Sequence, residues 1–141
     1  MIGMILTLNT REKLKLSHER EPKSVSQFAG KRYISLETSK RNGESVRTPV
    51  WFVEENQRLF VWTAYNSGKA KRIRNNPKIR IASCSATGKP TGTWINGEAR
   101  IVSEAEVGHA TELFKKKYTL QFWVIARLNK SKRALIELHT E

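Results

Sequence analysis

The dipeptide Asn42-Gly43 lies between two runs of alternating residues, and it constrains this chain more than any other local feature. Both residues tolerate the positive φ of a type I′ turn, so the pair predicts a tight β-hairpin. The incoming run, Arg32 to Thr38, reads RYISLET. It sets Tyr33, Ser35 and Glu37 on one face and Ile34, Leu36 and Thr38 on the other. The return strand is expected over Ser45 to Glu54. Pro49 falls inside it, and a residue without an N–H belongs at a sheet edge or a bulge. A turn at 55–57 leads to a third strand, Arg58 to Ala64, rich in Leu, Phe, Val and Trp.

The next segment changes period. Ser67-Gly68-Lys69 opens a helix, with Ser67 as N-cap, and Asn75-Asn76-Pro77 closes it. A fourth strand is expected over Lys78 to Ser85 and a fifth over Thr93 to Val102, with Gly97 at a bulge. Ser103 and Glu106 have capping-box spacing, predicting a second helix to about Lys117 with Val107, Ala110, Leu113 and Phe114 near one face. Arg133 to His139 is a terminal strand, and the run from Leu120 to Lys130 is read as either a helix ending or a dimer element. Residues 1–25 read as an arm or leader, either a short helix or mobile chain. Residues 26–141 then form one domain. Six short, hairpin-connected strands imply a barrel, because closure removes exposed edges. The expected class is mainly β, a six-stranded antiparallel barrel with inserted helices.

Composition excludes several functions. The single cysteine, Cys84, rules out an internal disulfide framework and reads as a strand residue. The apolar stretch Met1 to Leu8 is shorter than the roughly 20 residues of a membrane span. Its basic residues, Arg11, Lys13 and Lys15, follow it rather than precede it, unlike a signal peptide. A soluble, cytoplasmic protein is expected, with no membrane partner. His18, His109 and His139 have no ligand-spaced companions, so no metal site is expected. No Gly-x-Ser-x-Gly elbow is present, and Glu54 and Glu55 sit together in a turn. No catalytic acid, base or nucleophile is assigned.

Lys and Arg number 26 against 13 Asp and Glu, giving a formal charge of +13. Such a chain attracts polyanions: nucleic acid, anionic lipid or a phosphorylated cofactor. Ser67, Gly68 and Lys69 stand at a strand-to-helix junction, where free N–H groups and the helix dipole favour a phosphate. An ordinary capped helix with a surface lysine fits the same residues. Lys71 and Arg74 share a helix face, with Arg72 between them. Arg47, beside the proline-distorted strand, needs an anionic partner, and a phosphate or a carboxylate would serve equally.

Taken together, SQFAGKRYISLET (26–38), VRTPVWFV (46–53), WTAYNSGKAKRIRNNPKIRIASC (62–84) and GEARIV (97–102) resemble the pyridoxamine 5'-phosphate oxidase-like, FMN-binding split-barrel superfamily. Within it, the combination is similar to the coenzyme F420-dependent (deazaflavin) oxidoreductases. The resemblance implies a split β-barrel, a homodimer, and either coenzyme F420 or FMN as cofactor. It implies hydride transfer with a small organic substrate. Phosphate contacts carry over to Arg47, Thr63, Ser67 and Lys69, with Gly68 allowing close approach. Thr48, Pro49 and Val50 would line the ring, and Lys71, Arg72 and Arg74 would meet an anionic tail. Pyridoxamine phosphate oxidases proper carry a lysine five positions after the strand-two arginine. Here Phe52 stands there, which points away from pyridoxamine phosphate as substrate. The alternatives are a non-catalytic FMN-binding module and a nucleic-acid-binding basic barrel. The second is disfavoured, since no motif of that kind accompanies the charge.

Overall fold

The computed structural model describes residues 27–102, 108–128 and 132–141. The expected arm at 1–25 and the Ser103–Glu106 capping box lie outside the described residues. Among the described residues, seven strands and two helices follow in order: β1 (Ile34–Ser39), β2 (Ser45–Val50), β3 (Phe52–Glu55), β4 (Arg58–Ala64), α1 (Gly68–Asn75), β5 (Lys78–Ser83), β6 (Ile95–Val102), α2 (Gly108–Leu128) and β7 (Arg133–Thr140). All pairings are antiparallel, in the order β2-β1-β5-β6-β7-β4-β3.

The two outermost strands of that order, β2 and β3, are joined in the chain through Trp51 alone. A sheet whose opposite edges are consecutive must curl on itself, and this makes the split barrel. It also accounts for seven strands where six were expected. The single strand expected over Ser45 to Glu54 breaks at Trp51, so its first half pairs with β1 and its second with β4. Pro49 sits on the edge strand β2, where its missing N–H breaks no ladder bond.

Turn chemistry departs from expectation. At 40–44 only Gly43 has positive φ (90°), and its N–H bonds to Lys40 O at 3.0 Å. The hairpin is therefore a three-residue loop closed by a left-handed glycine rather than a type I′ turn. The two-residue turn with both φ values positive is Asn56-Gln57, at 51° and 64°. Gly97 makes no bulge, since its pairings with Ile79 and Thr140 are in regular register. A Cβ there would collide with the His139 carbonyl, so close approach of β6 and β7 is what demands glycine.

Alternation sorts the core into two clusters. Ile34, Leu36, Phe52, Leu59, Val61, Ile136 and Leu138 fill the barrel interior. Val53, Phe60 and Leu135, of opposite parity on β3, β4 and β7, pack outward against Phe114, Tyr118 and Phe122 of α2. α2 runs past the expected end near Lys117 to Leu128, across a kink at Thr119 (φ 38°). No helix among the described residues is long and apolar enough to cross a membrane.

Candidate functional site

β4 delivers Thr63, buried at 7% exposure, to the point where α1 begins. Ser67 caps that helix as the sequence predicts, its Oγ accepting the Ala70 N–H at 3.1 Å. Thr63 Oγ1 donates to the same oxygen at 3.0 Å and accepts from Lys69 Nζ at 3.4 Å. The Ser67 oxygen thus accepts twice. Its own hydrogen, and the remaining ammonium hydrogens of Lys69, are left for an outside acceptor.

Lys69 is half-buried and meets no carboxylate among the described residues. Burial, and secondarily the neighbouring Arg72, hold its ammonium below the ordinary lysine value. An anion at this corner would oppose both effects by favouring the charged ammonium. Arg72 stays close because its Nε donates to Thr38 Oγ1 at 2.7 Å. A Cβ on Gly68 would come within 2.9 Å of the Arg72 guanidinium, so glycine lets that cation lie along the first helical turn. The corner therefore presents two cations, a hydroxyl and a helix N-terminus, a donor set that suits a phosphate.

A cleft of about 350 Å³ opens from this corner. Pro49, Val50 and Trp51 wall it at the β2–β3 crossing, Trp62, Thr63 and Ala64 along β4, and Arg133 at the start of β7. Of the residues singled out from sequence, Pro49, Val50, Thr63, Ser67 and Lys69 meet here, with Gly68 and Arg72 at the margin.

Arg47, Thr48 and Lys71 do not line the cleft. Arg47 Nε bonds to Glu37 Oε2 at 2.8 Å, and its guanidinium lies 4.4 Å from the Trp94 ring centroid. Glu37 also accepts two bonds from Arg80, at 2.8 and 2.9 Å. Within one chain, Arg47 thus has the carboxylate partner that the sequence left open beside phosphate. Lys71 is exposed. Arg74 turns to Tyr65, donating to its carbonyl at 2.8 Å.

Arg133 is the lining residue that sequence reading missed. Its guanidinium stacks 4.0 Å from the Trp62 centroid. The β4–β7 register sets Arg133 opposite Ala64, and so beside the corner. Correct pairing of those two strands is the signal that would have found it.

The family model for pyridoxamine 5'-phosphate oxidase matches residues 21–141. No curated protein matches the chain. Solved structures share the fold. An F420 reductase superposes with a TM-score of 0.56 at 14% identity, over 82% of this chain and 91% of its own. An FAD-binding protein from Mesorhizobium loti gives 0.60 at 13%, over 84% and 86%. The heme storage protein from Vibrio cholerae gives 0.61 at 15%, over 86% and 89%.

Proposed function

Since the chain belongs to the pyridoxamine 5'-phosphate oxidase family, a family of flavin-binding split barrels that includes oxidoreductases, we propose that it is a flavin- or deazaflavin-dependent oxidoreductase. One observation supports this above the others: a half-buried lysine with no acidic partner among the described residues, set beside a helix-capping hydroxyl at the head of a cleft. In this reading Thr63, Ser67 and Lys69 hold the cofactor phosphate, with the Gly68 amide beneath and Arg72 reaching from the side. Pro49 and Val50 border the ring, with Thr48 next to them in the chain but outside the cleft. A bound flavin or deazaflavin supplies hydride transfer to or from a small organic substrate. The chain's own residues bind, orient and keep water out, with Trp51 and Trp62 as the apolar walls. No side chain is assigned as acid or base.

Coenzyme F420 fits the basic surface along α1 better than FMN, because Lys71 and Arg72 could meet a longer anionic tail. The working unit in this proposal is a cytoplasmic homodimer. Arg47 and Lys71, outside the cleft of one copy, would approach the cofactor from the second. Leu120 and Val124, one turn apart on α2 and 75% and 50% exposed, are available to an interface.

A fluorescence titration with FMN, riboflavin and coenzyme F420 tests the assignment. Lys69→Ala should weaken FMN binding by about tenfold or more, as expected for loss of a charge-assisted bond. Riboflavin, lacking the phosphate, should hardly notice. If Lys69→Ala binds FMN and coenzyme F420 as tightly as the wild type does, the phosphate corner is misassigned.

A further inference from the structure

A second cleft, of about 530 Å³, lies between the end of α1, β6 and the start of β7. Arg133 lines both clefts and so forms their common wall. Arg74, Arg100 and Lys132 also line the second one, and no acidic residue does among the described residues. Arg100 is offset by Glu137, at 2.8 Å. Arg74 and Lys132 meet no carboxylate among the described residues. Both instead lie over the Tyr65 ring, 4.2 and 4.5 Å from its centroid. Two cations on one aromatic ring repel each other, and the ring's quadrupole offsets little of that at an exposed site. A monovalent anion in the cleft that both line would offset their charge.

The rest of the lining is apolar. Pro77 is exposed and Ile101 half-buried, with Ile73 and Val102, each 3% exposed, behind them. A hydrated inorganic ion has no use for such a floor, whereas a short hydrocarbon body does. We propose that this cleft binds an anionic amphiphile, a carboxylate carried on a short apolar chain or ring, as the substrate subsite beside the cofactor cleft. The binding stands on the charges and floor of this cleft alone. The subsite role rests on the cofactor reading, and Arg133 is the link.

Calorimetric titration of the full chain with sodium octanoate, sodium butanoate and octan-1-ol tests both halves of the specificity. Octanoate should bind at least tenfold more tightly than butanoate, which lacks the body, and than octanol, which lacks the charge. The double variant Arg74→Glu/Lys132→Glu, at two exposed positions, should lose at least tenfold. Lys89→Glu, at an exposed position that lines neither cleft, should not change octanoate binding. Absence of octanoate binding, octanol binding as tightly as octanoate, or a double variant equal to wild type overturns the proposal. The octanoate–octanol comparison decides on wild type alone if the variant misfolds. With FMN bound, octanoate should shift the flavin's visible spectrum. An unchanged spectrum and unchanged octanoate affinity would remove the subsite role. Octanoate binding by a protein that binds no flavin would overturn the cofactor reading and the subsite role, leaving the amphiphile site standing.

Discussion

The Tyr118 hydroxyl accepts the backbone N–H of Phe52 at 3.0 Å, bridging 66 residues of sequence. It donates in turn to the Arg32 carbonyl at 2.7 Å, while the Phe52 carbonyl accepts from Lys117 Nζ at 2.9 Å. Both polar groups of Phe52, just past the crossing from one sheet edge to the other, are therefore served by one turn of α2. Tyr118→Phe keeps the ring that stacks on Trp51 at 4.4 Å but strands a buried N–H. It should destabilise the fold by about 1–3 kcal/mol. The urea midpoint should fall with the slope of the transition unchanged. An unaltered midpoint would mean that the crossing is held by packing alone.

Lys117 carries a pH dependence of its own. Burial pushes its ammonium down to about 8, against a partial opposing pull from Glu54. In the unfolded chain the same lysine titrates near its ordinary value, so between the two the unfolded state binds more protons. Stability from this residue therefore rises with pH from about 8 to about 10.5, and the cost of burying the charge is fully present below about 8. Urea midpoints of wild type and Lys117→Met should converge, or cross in favour of wild type, as pH rises through that window. A constant difference would show that Lys117 titrates normally in the fold.

Local signals carried much of this structure, and their failures share a cause. Arg58–Ala64 lies within the expected bounds, and Ser67 caps the helix that Pro77 follows, because alternation and capping are short-range properties. The break at Trp51 was not legible, since what satisfies Phe52 beyond it comes from Tyr118 on a distant helix. Arg133 has no motif and joins the candidate cleft only through the pairing of β4 with β7. Asn42-Gly43 gave the hairpin but not its turn type. The positive φ values at Asn56-Gln57 come in a glycine-free turn whose flanks, Glu55 and Arg58, pair directly. The family resemblance grouped Arg47 with Lys69. One chain keeps them apart, because Glu37 stands opposite Arg47 on the neighbouring strand.

Gly97→Ala tests the tight seam between β6 and β7. The added methyl would press on the His139 carbonyl, a backbone atom that cannot rotate away, and on Ile79 at 3.3 Å. Overpacking of this kind costs about 1–3 kcal/mol, against about 0.4–1 kcal/mol gained by restricting the unfolded chain. A lower thermal midpoint is expected. A variant as stable as wild type would show that the seam can spread.

Glu37 shows what holds the outer face of the β1–β2–β5 sheet. Its carboxylate, 9% exposed, takes Arg80 on one side and Arg47 on the other. The Arg80 hydrogen bonds hold its carboxyl below the ordinary glutamate value, outweighing the opposing effect of burial, with Arg47 adding to them. A carboxylate depressed in the fold contributes stability above its unfolded value and loses it as pH falls through the folded one. Glu37→Gln keeps the shape and a hydrogen-bonding oxygen but leaves two guanidiniums without a counter-charge. Both arginines are half-exposed, at 51% and 41%, so water screens part of the loss. A cost of about 2 kcal/mol at neutral pH is expected rather than that of a fully buried pair. The deficit relative to wild type should shrink as pH falls below the ordinary glutamate value and on through the lower folded one, where the wild-type carboxylate takes up its proton. A deficit that persists undiminished in acid would assign Glu37 a packing role instead of a charge role.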